Sequence, residues 1–201
     1  MNASVFILAG GQSRRMGRNK ALLPLGNETV MERLISEFRP TALEIALLIN
    51  ENGYTEWDVT QFKDEPPYQG CGPLAGIYTA LKHTTSDYNL FIACDMPFVT
   101  REVGEWMIKQ LHNSQADAII PYEDEKPHPL FATYHRRCID QVKAQLEDGN
   151  FRIKSFLEKI KIMRFDRCDL PFCLQQNFEQ IFWNMNDKEA YEKAKEMMNR
   201  S

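Results

Sequence analysis

Apolar positions along the chain fall into two spacings: short unbroken runs, and longer stretches in which they recur every third or fourth residue. The runs at residues 5–8, 45–49 and 90–94 are too short for helices and rich in β-formers, which predicts buried parallel strands. Between them, Val30, Met31, Leu34, Ile35 and Phe38 share one helical face that closes at Pro40. Gly72-Pro73 opens a second helix with Leu74, Ile77, Tyr78 and Leu81 on one side. Thr100 is placed to cap a third, bearing Val103, Trp106, Met107 and Leu111. Strands are expected at 118–121 and 129–134, followed by a helix with Ile139, Val142 and Leu146 and a last helix over 187–199. This alternation predicts an α/β fold, a mostly parallel sheet covered by helices, with Ile7, Leu48, Phe91 and Ile119 in its core.

Composition narrows the picture. A length of 201 residues suits one well-buried domain over 1–201, and no repeat, low-complexity tract or linker divides it. A net charge of −4 and a pI near 5.6 argue against nucleic acid or an anionic membrane as partner. No secretory leader is evident and no apolar run approaches a membrane span, so a cytoplasmic protein is expected. The five cysteines are odd in number and form no C-x-x-C, which signals neither a disulfide framework nor zinc; Cys94 is expected to be buried.

The first apolar run ends in Leu8-Ala9-Gly10-Gly11-Gln12-Ser13-Arg14-Arg15-Met16-Gly17-Arg18-Asn19-Lys20, which puts three glycines, a hydroxyl and four cations after a strand. Ligands of open α/β sheets bind at that edge. Glycines there let backbone N–H groups turn toward a polyphosphate, while Arg15 and Lys20 neutralise its charge. The spacing excludes two familiar loops. Gly17 is followed by Arg18 where a Walker A loop needs Lys, and Gly10-Gly11 with Gly17 does not give the dinucleotide fingerprint.

The run 90–94 leads into Asp95, and Pro97 stops it, so Asp95 should lie at the same sheet edge and face Lys20 across the crevice. An acid beside a triphosphate makes sense when a divalent cation lies between them. That points to Asp95 as a ligand of Mg²⁺. Its alternative role is to cap the turn that follows.

The pattern Leu-Ala-Gly-Gly-x-Ser-x-Arg-Met-Gly-x-x-Lys resembles the signature loop of the molybdenum cofactor guanylyltransferases, matched at Leu8, Ala9, Gly10, Gly11, Ser13, Arg15, Met16, Gly17 and Lys20. Cys-Asp-x-Pro at Cys94, Asp95 and Pro97, and Gly-Pro-Leu-Ala-Gly at 72–76, are similar to that family too. The resemblance implies a three-layer, Rossmann-like nucleotidyltransferase fold, with helices on both faces of the sheet and one or two antiparallel strands in its second half. It implies that Leu8, Ala9, Gly10, Gly11, Ser13, Lys20, Asn50, Asp64 and Asp95 bind the nucleotide. Arg15, Lys20 and Asp95 would then be the catalytic groups. On their own, Asn50 and Asp64 read as solvated loop residues.

Near the C-terminus, Asn184-Met185-Asn186 resembles the family's Asn-x-Asn turn, which implies that Asn184 and Asn186 contact the acceptor or the metal shell. Asn186 has a competing role as the cap of the last helix, with Glu189 three residues on. His128, before a family-like Pro-Leu-Phe-Ala-x-Tyr strand, reads as a strand-edge residue more than a base. By this resemblance the chain moves GMP from GTP to the phosphate of the molybdopterin-type molybdenum cofactor, uses Mg²⁺, and makes transient contact with proteins that deliver or receive that cofactor. The alternatives are a cytidylyltransferase for the same pterin, a sugar-phosphate nucleotidyltransferase, and a non-catalytic nucleotide-binding protein. Gly10-Gly11 favours the guanylyl branch.

Overall fold

A computed structural model describes residues 2–9, 19–40, 44–49 and 53–199. Its centre is a mixed sheet built from β1 (Ala3–Leu8), β4 (Glu44–Ile49), β5 (Thr60–Lys63), β6 (Tyr88–Ala93), β7 (Ala118–Glu123), β8 (Lys126–Pro127), β9 (Phe131–His135) and β10 (Ile162–Phe165). Strand order is β10-β7-β9-β6-β1-β4-β5, and β8 pairs with β7. β1 runs parallel to β4 and β6, and β4 to β5. β9 is antiparallel to both β6 and β7, which leaves β7 and β10 running with β6. The antiparallel strand therefore falls in the second half, as expected. A small hairpin, β2 (Pro24–Leu25) with β3 (Glu28–Thr29), stands apart and turns on Gly26, whose φ of +69° suits glycine.

The strands alternate between two apolar layers because successive side chains point to opposite faces. Val5, Ile7, Leu47, Leu90, Ile92, Ile119 and Phe131 face one layer. Phe6, Ala46, Leu48, Phe91, Ile120, Ala132 and Tyr134 face the other. The first layer is closed by α1 (Val30–Phe38), α3 (Arg101–His112), α6 (Phe178–Ile181) and α7 (Lys188–Met198), and the second by α2 (Pro73–His83), α4 (Ile139–Glu147) and α5 (Ile153–Leu157). All four expected core residues are buried, two in each layer. In the second layer Phe91 stacks on Phe6 with centroids 5.5 Å apart and meets Tyr134 edge-on. Burial of one such ring contributes about 2–3 kcal/mol. On the other side α3 approaches β6 closely through Gly104, where a Cβ would sit 2.8 Å from Leu90 Cδ2.

The helix ends follow local chemistry, with two corrections. Thr29 caps α1 reciprocally with Glu32, and Pro73 occupies the first turn of α2. Thr100 stands at the start of α3, but its hydroxyl makes no cap; Glu37 of α1 accepts the Arg101 N–H instead, at 2.8 Å. The last helix is capped by Asp187, whose carboxylate accepts the Ala190 N–H at 2.8 Å, and not by Asn186. The strand expected at 129–134 occupies Phe131–His135, because Pro129 lacks the N–H that a ladder position needs.

Candidate active site

Four strand ends meet at one edge. β1 ends at Leu8, β4 at Ile49, β5 at Lys63 and β6 at Ala93, and their parallel registers put all four on the same side of the sheet. Past those ends the ladder continues briefly. The Ala9 N–H donates to the Leu48 carbonyl at 2.9 Å, and the Cys94 N–H to the Leu8 carbonyl at 3.1 Å. Leu8 and Ala9 thus stand where β1 leaves the sheet. Gly10, Gly11, Ser13, Arg15 and Asn50 lie outside the described residues.

Asp95 follows from how β6 stops. The Met96 N–H folds back to the Ala93 carbonyl at 3.1 Å, and α1 braces the turn by donating Arg33 Nε to the Pro97 carbonyl at 2.9 Å. This turn presents the Asp95 carboxylate at the edge. Lys20 opens a short 3₁₀ turn, Lys20–Leu22, capped by the Asn19 side chain, which accepts the Ala21 N–H at 3.1 Å. Its ammonium lies 3.4 Å from Asp95 Oδ2, joining residues 75 positions apart. Burial, with the Asp95 charge added, pushes the Cys94 thiol up to about 12, so Cys94 is a packed thiol and no nucleophile.

Asp64 is one residue past β5. Burial raises its carboxyl pKa, opposed by the Gly70 N–H at 3.2 Å. The order β6-β1-β4-β5 separates Asp64 from Asp95 by three strand spacings, roughly 14 Å. They cannot share one ion, and among the described residues no group of three His, Cys, Asp or Glu side chains could hold a metal. The two acids instead bracket a length that suits a nucleotide laid across the edge. A Cβ on Gly76 of α2 would come within 3.5 Å of Leu8 and 3.9 Å of Asp64, so the helix passes close beneath this stretch.

On the other side of β6 the C-terminal segment closes in. The Met185 N–H donates to the Asp95 carbonyl at 2.9 Å, with Met185 fully buried, and this pins the 184–186 turn beside Asp95. Asn184 Nδ2 is engaged by the Phe182 carbonyl at 2.8 Å, and Asn186 is exposed. Phe182 packs on the His128 ring with centroids 4.5 Å apart. Burial lowers the His128 pKa, and its Nε2 sits 3.5 Å from Glu123 Oε2 without hydrogen-bond geometry. His128 is therefore a neutral packing residue at neutral pH. A cleft of about 860 Å³ opens alongside, lined in part by Tyr122, Glu123, Phe178, Glu179 and Trp183.

Two contributions to the edge escape the sequence patterns. The β7–β8 turn at Asp124 and Glu125, with φ of 47° and 62°, lacks the Asn-Gly pair that marks such hairpins. Tyr54, in a short polar stretch without periodicity, contacts both Asn19 and Ala9. The β2–β3 hairpin was missed as well, although Gly26-Asn27 is a two-residue pair of the kind that joins two short strands and could have located it.

A family model described as "MobA-like NTP transferase domain" matches residues 5–163. "Probable molybdenum cofactor guanylyltransferase" of Carboxydothermus hydrogenoformans is 34% identical over 96% of this chain and 94% of its own length. The protein of that name from Clostridium perfringens is 36% identical over 94% of each. Molybdopterin-guanine dinucleotide biosynthesis protein A of Archaeoglobus fulgidus superposes with a TM-score of 0.86 at 26% identity, covering 98% of this chain and 100% of its own. 2-C-methyl-D-erythritol 4-phosphate cytidylyltransferase of Thermus thermophilus shares the fold, with a TM-score of 0.71 at 13% identity over 99% of this chain and 100% of its own. The chain belongs to the MobA-like NTP transferase family and is a nucleotidyltransferase with a Rossmann-like fold.

Proposed function

We propose that this enzyme transfers GMP from GTP to the terminal phosphate of a molybdopterin-type molybdenum cofactor, forming the guanine dinucleotide and releasing pyrophosphate. The observation that carries this reading is the Lys20–Asp95 pair, a cation and an acid 3.4 Å apart at the edge where the glycine loop leaves β1. In the reaction an acceptor phosphate oxygen attacks the α-phosphorus of GTP. The bond from that phosphorus to the bridging oxygen breaks, and pyrophosphate leaves with the electron pair. No covalent enzyme intermediate is required, so catalysis rests on positioning and charge stabilisation.

Lys20 and Arg15 offset the charge that develops on the phosphates, and Ser13 with Gly10 and Gly11 completes the cradle begun at Leu8 and Ala9. Asp64 and Asn50, on the β4–β5 side, hold the nucleoside end. Asn184 and Asn186, pinned beside Asp95, face the acceptor. A single accessible carboxylate fits Mg²⁺ shared with a substrate, since that ion is held by one or two carboxylates together with phosphates and waters. Asp95 would hold the ion, which would supply electrostatic stabilisation of the phosphate oxygens.

Pyrophosphate release with each NTP, in the presence and absence of molybdenum cofactor, tests the reading. Release is expected with GTP, and only when the cofactor is present. Preferential turnover of CTP, or of sugar phosphates without the pterin, would replace it with one of the rival acceptors or nucleotides.

A further inference from the structure

The glycine loop is bounded by two described stems, Ala9 where the chain leaves β1 and Asn19 where it returns, and one side chain touches both. The Tyr54 hydroxyl accepts from Asn19 Nδ2 at 2.8 Å and donates toward the Ala9 carbonyl at 3.5 Å. The other end of the Asn19 amide, Oδ1, accepts the Ala21 N–H and so caps the turn that carries Lys20. A continuous path therefore runs from Tyr54 through Asn19 to the Lys20 turn, and from there to Asp95.

Tyr54 is itself held from the sheet. Gln61 of edge strand β5 accepts the Tyr54 N–H at 2.8 Å and donates to the Tyr54 carbonyl at 2.5 Å. The preceding residue is glycine, and a Cβ there would stand 3.0 Å from Gln61 Oε1, against the amide that makes this grip. The Tyr54 ring rests on Trp57 with centroids 4.8 Å apart. Burial first, and then nearby negative charge, raises the phenol pKa against the Asn19 bond that lowers it; the hydroxyl keeps its proton at neutral pH.

We propose that Tyr54 is a positioning residue for triphosphate binding, whose hydroxyl fixes the spacing of the two stems of the glycine loop and, through Asn19, the placement of the Lys20 turn. This rests on the nucleotide reading given above. Its physical reason is preorganisation: a cation held in place before the substrate arrives spares the ordering cost that would otherwise be lost from affinity.

Tyr54→Phe removes the hydroxyl and keeps the ring on Trp57. Asn19→Ser keeps a cap acceptor for Ala21 but is too short to reach Tyr54. Amide hydrogen exchange in nucleotide-free protein should be about fivefold faster at residues 21–23 in either variant, and no faster in the double variant, because both remove the same bond. The KM for GTP in pyrophosphate release should rise about fivefold with kcat changed less than about twofold. Unchanged exchange at 21–23, effects that multiply in the double variant, or faster exchange with KM unmoved would each overturn the assignment. Exchange is read without nucleotide, so a wild-type protein inactive on GTP would sink the functional reading while the clamp itself is still decided.

Discussion

At the scale of single residues, the functional reading turns on two side chains brought together past the C-terminal ends of neighbouring parallel strands, β1 and β6. Asp95 is partly exposed and meets Lys20 at 3.4 Å, a long contact whose loss costs the fold little. Asp95→Ala should therefore leave the melting temperature within a few degrees of wild type and lower kcat for pyrophosphate release by roughly 100-fold or more, the scale on which one electrostatic stabiliser is lost. Lys20→Ala should weaken GTP binding and lower the rate as well. Wild-type kinetics in either variant would remove that residue from the site. Both were legible because each ends a recognisable pattern, a glycine loop after one apolar run and an Asp-x-Pro stop after another. Tyr54 was not, because its bonds reach 35 and 45 positions away and nothing around it repeats.

At the scale of elements, periodicity located what was long or fully buried and missed what was short or at an edge. Helices α1, α2, α3, α4 and α7 have apolar faces that repeat over two or three turns. Edge strand β5, Thr-Gln-Phe-Lys, has one apolar residue in four, and β10 closes the opposite edge with Ile-Met-Arg-Phe. β5 is too polar and β10, though apolar at three of four positions, does not alternate; at four residues each, neither registers against the surrounding loops. The start of α7 shows how local chemistry can be placed one residue wrong. Asn186 and Asp187 are both good caps by type, but the backbone gives the role to Asp187. Asp187→Ala should cost about 1 kcal/mol in urea unfolding, whereas Asn186→Ala should be neutral for stability and, beside Asp95, should raise the KM for the acceptor. A stability loss at Asn186 equal to that at Asp187 would return the cap to Asn186 and remove its acceptor role.

For the whole molecule, the alternation of runs and helical faces was enough to give the layered α/β architecture, while the charge network between its parts came only with the fold. That network sets how the protein responds to acid. Burial lowers the pKa of His128, and burial with the Arg137 charge lowers that of His135. His135 Nδ1 must also be unprotonated to accept the Arg137 N–H at 3.1 Å. Both histidines take up protons more readily when unfolded, so their contribution to stability is complete above the unfolded value near 6.5 and is lost as pH falls below it. Asp117 and Glu65 titrate lower still. Burial raises Asp117, but Arg137 and the Lys161 N–H outweigh it, and Lys82 and His83 hold Glu65 down. Their contribution is present above about pH 4 and lost below. Asp64 and Glu123, raised by burial, act in the opposite sense and soften the loss between the two windows. Melting temperature should therefore decline in two stages, one from pH 7 toward 5 and a steeper one below 4. Asn at 135 keeps a cap acceptor that does not titrate, and Phe at 128 keeps the ring packed on Phe182. The double variant His128→Phe, His135→Asn should flatten the first stage and leave the second in place. An unchanged slope between pH 7 and 5 would show that neither histidine carries it.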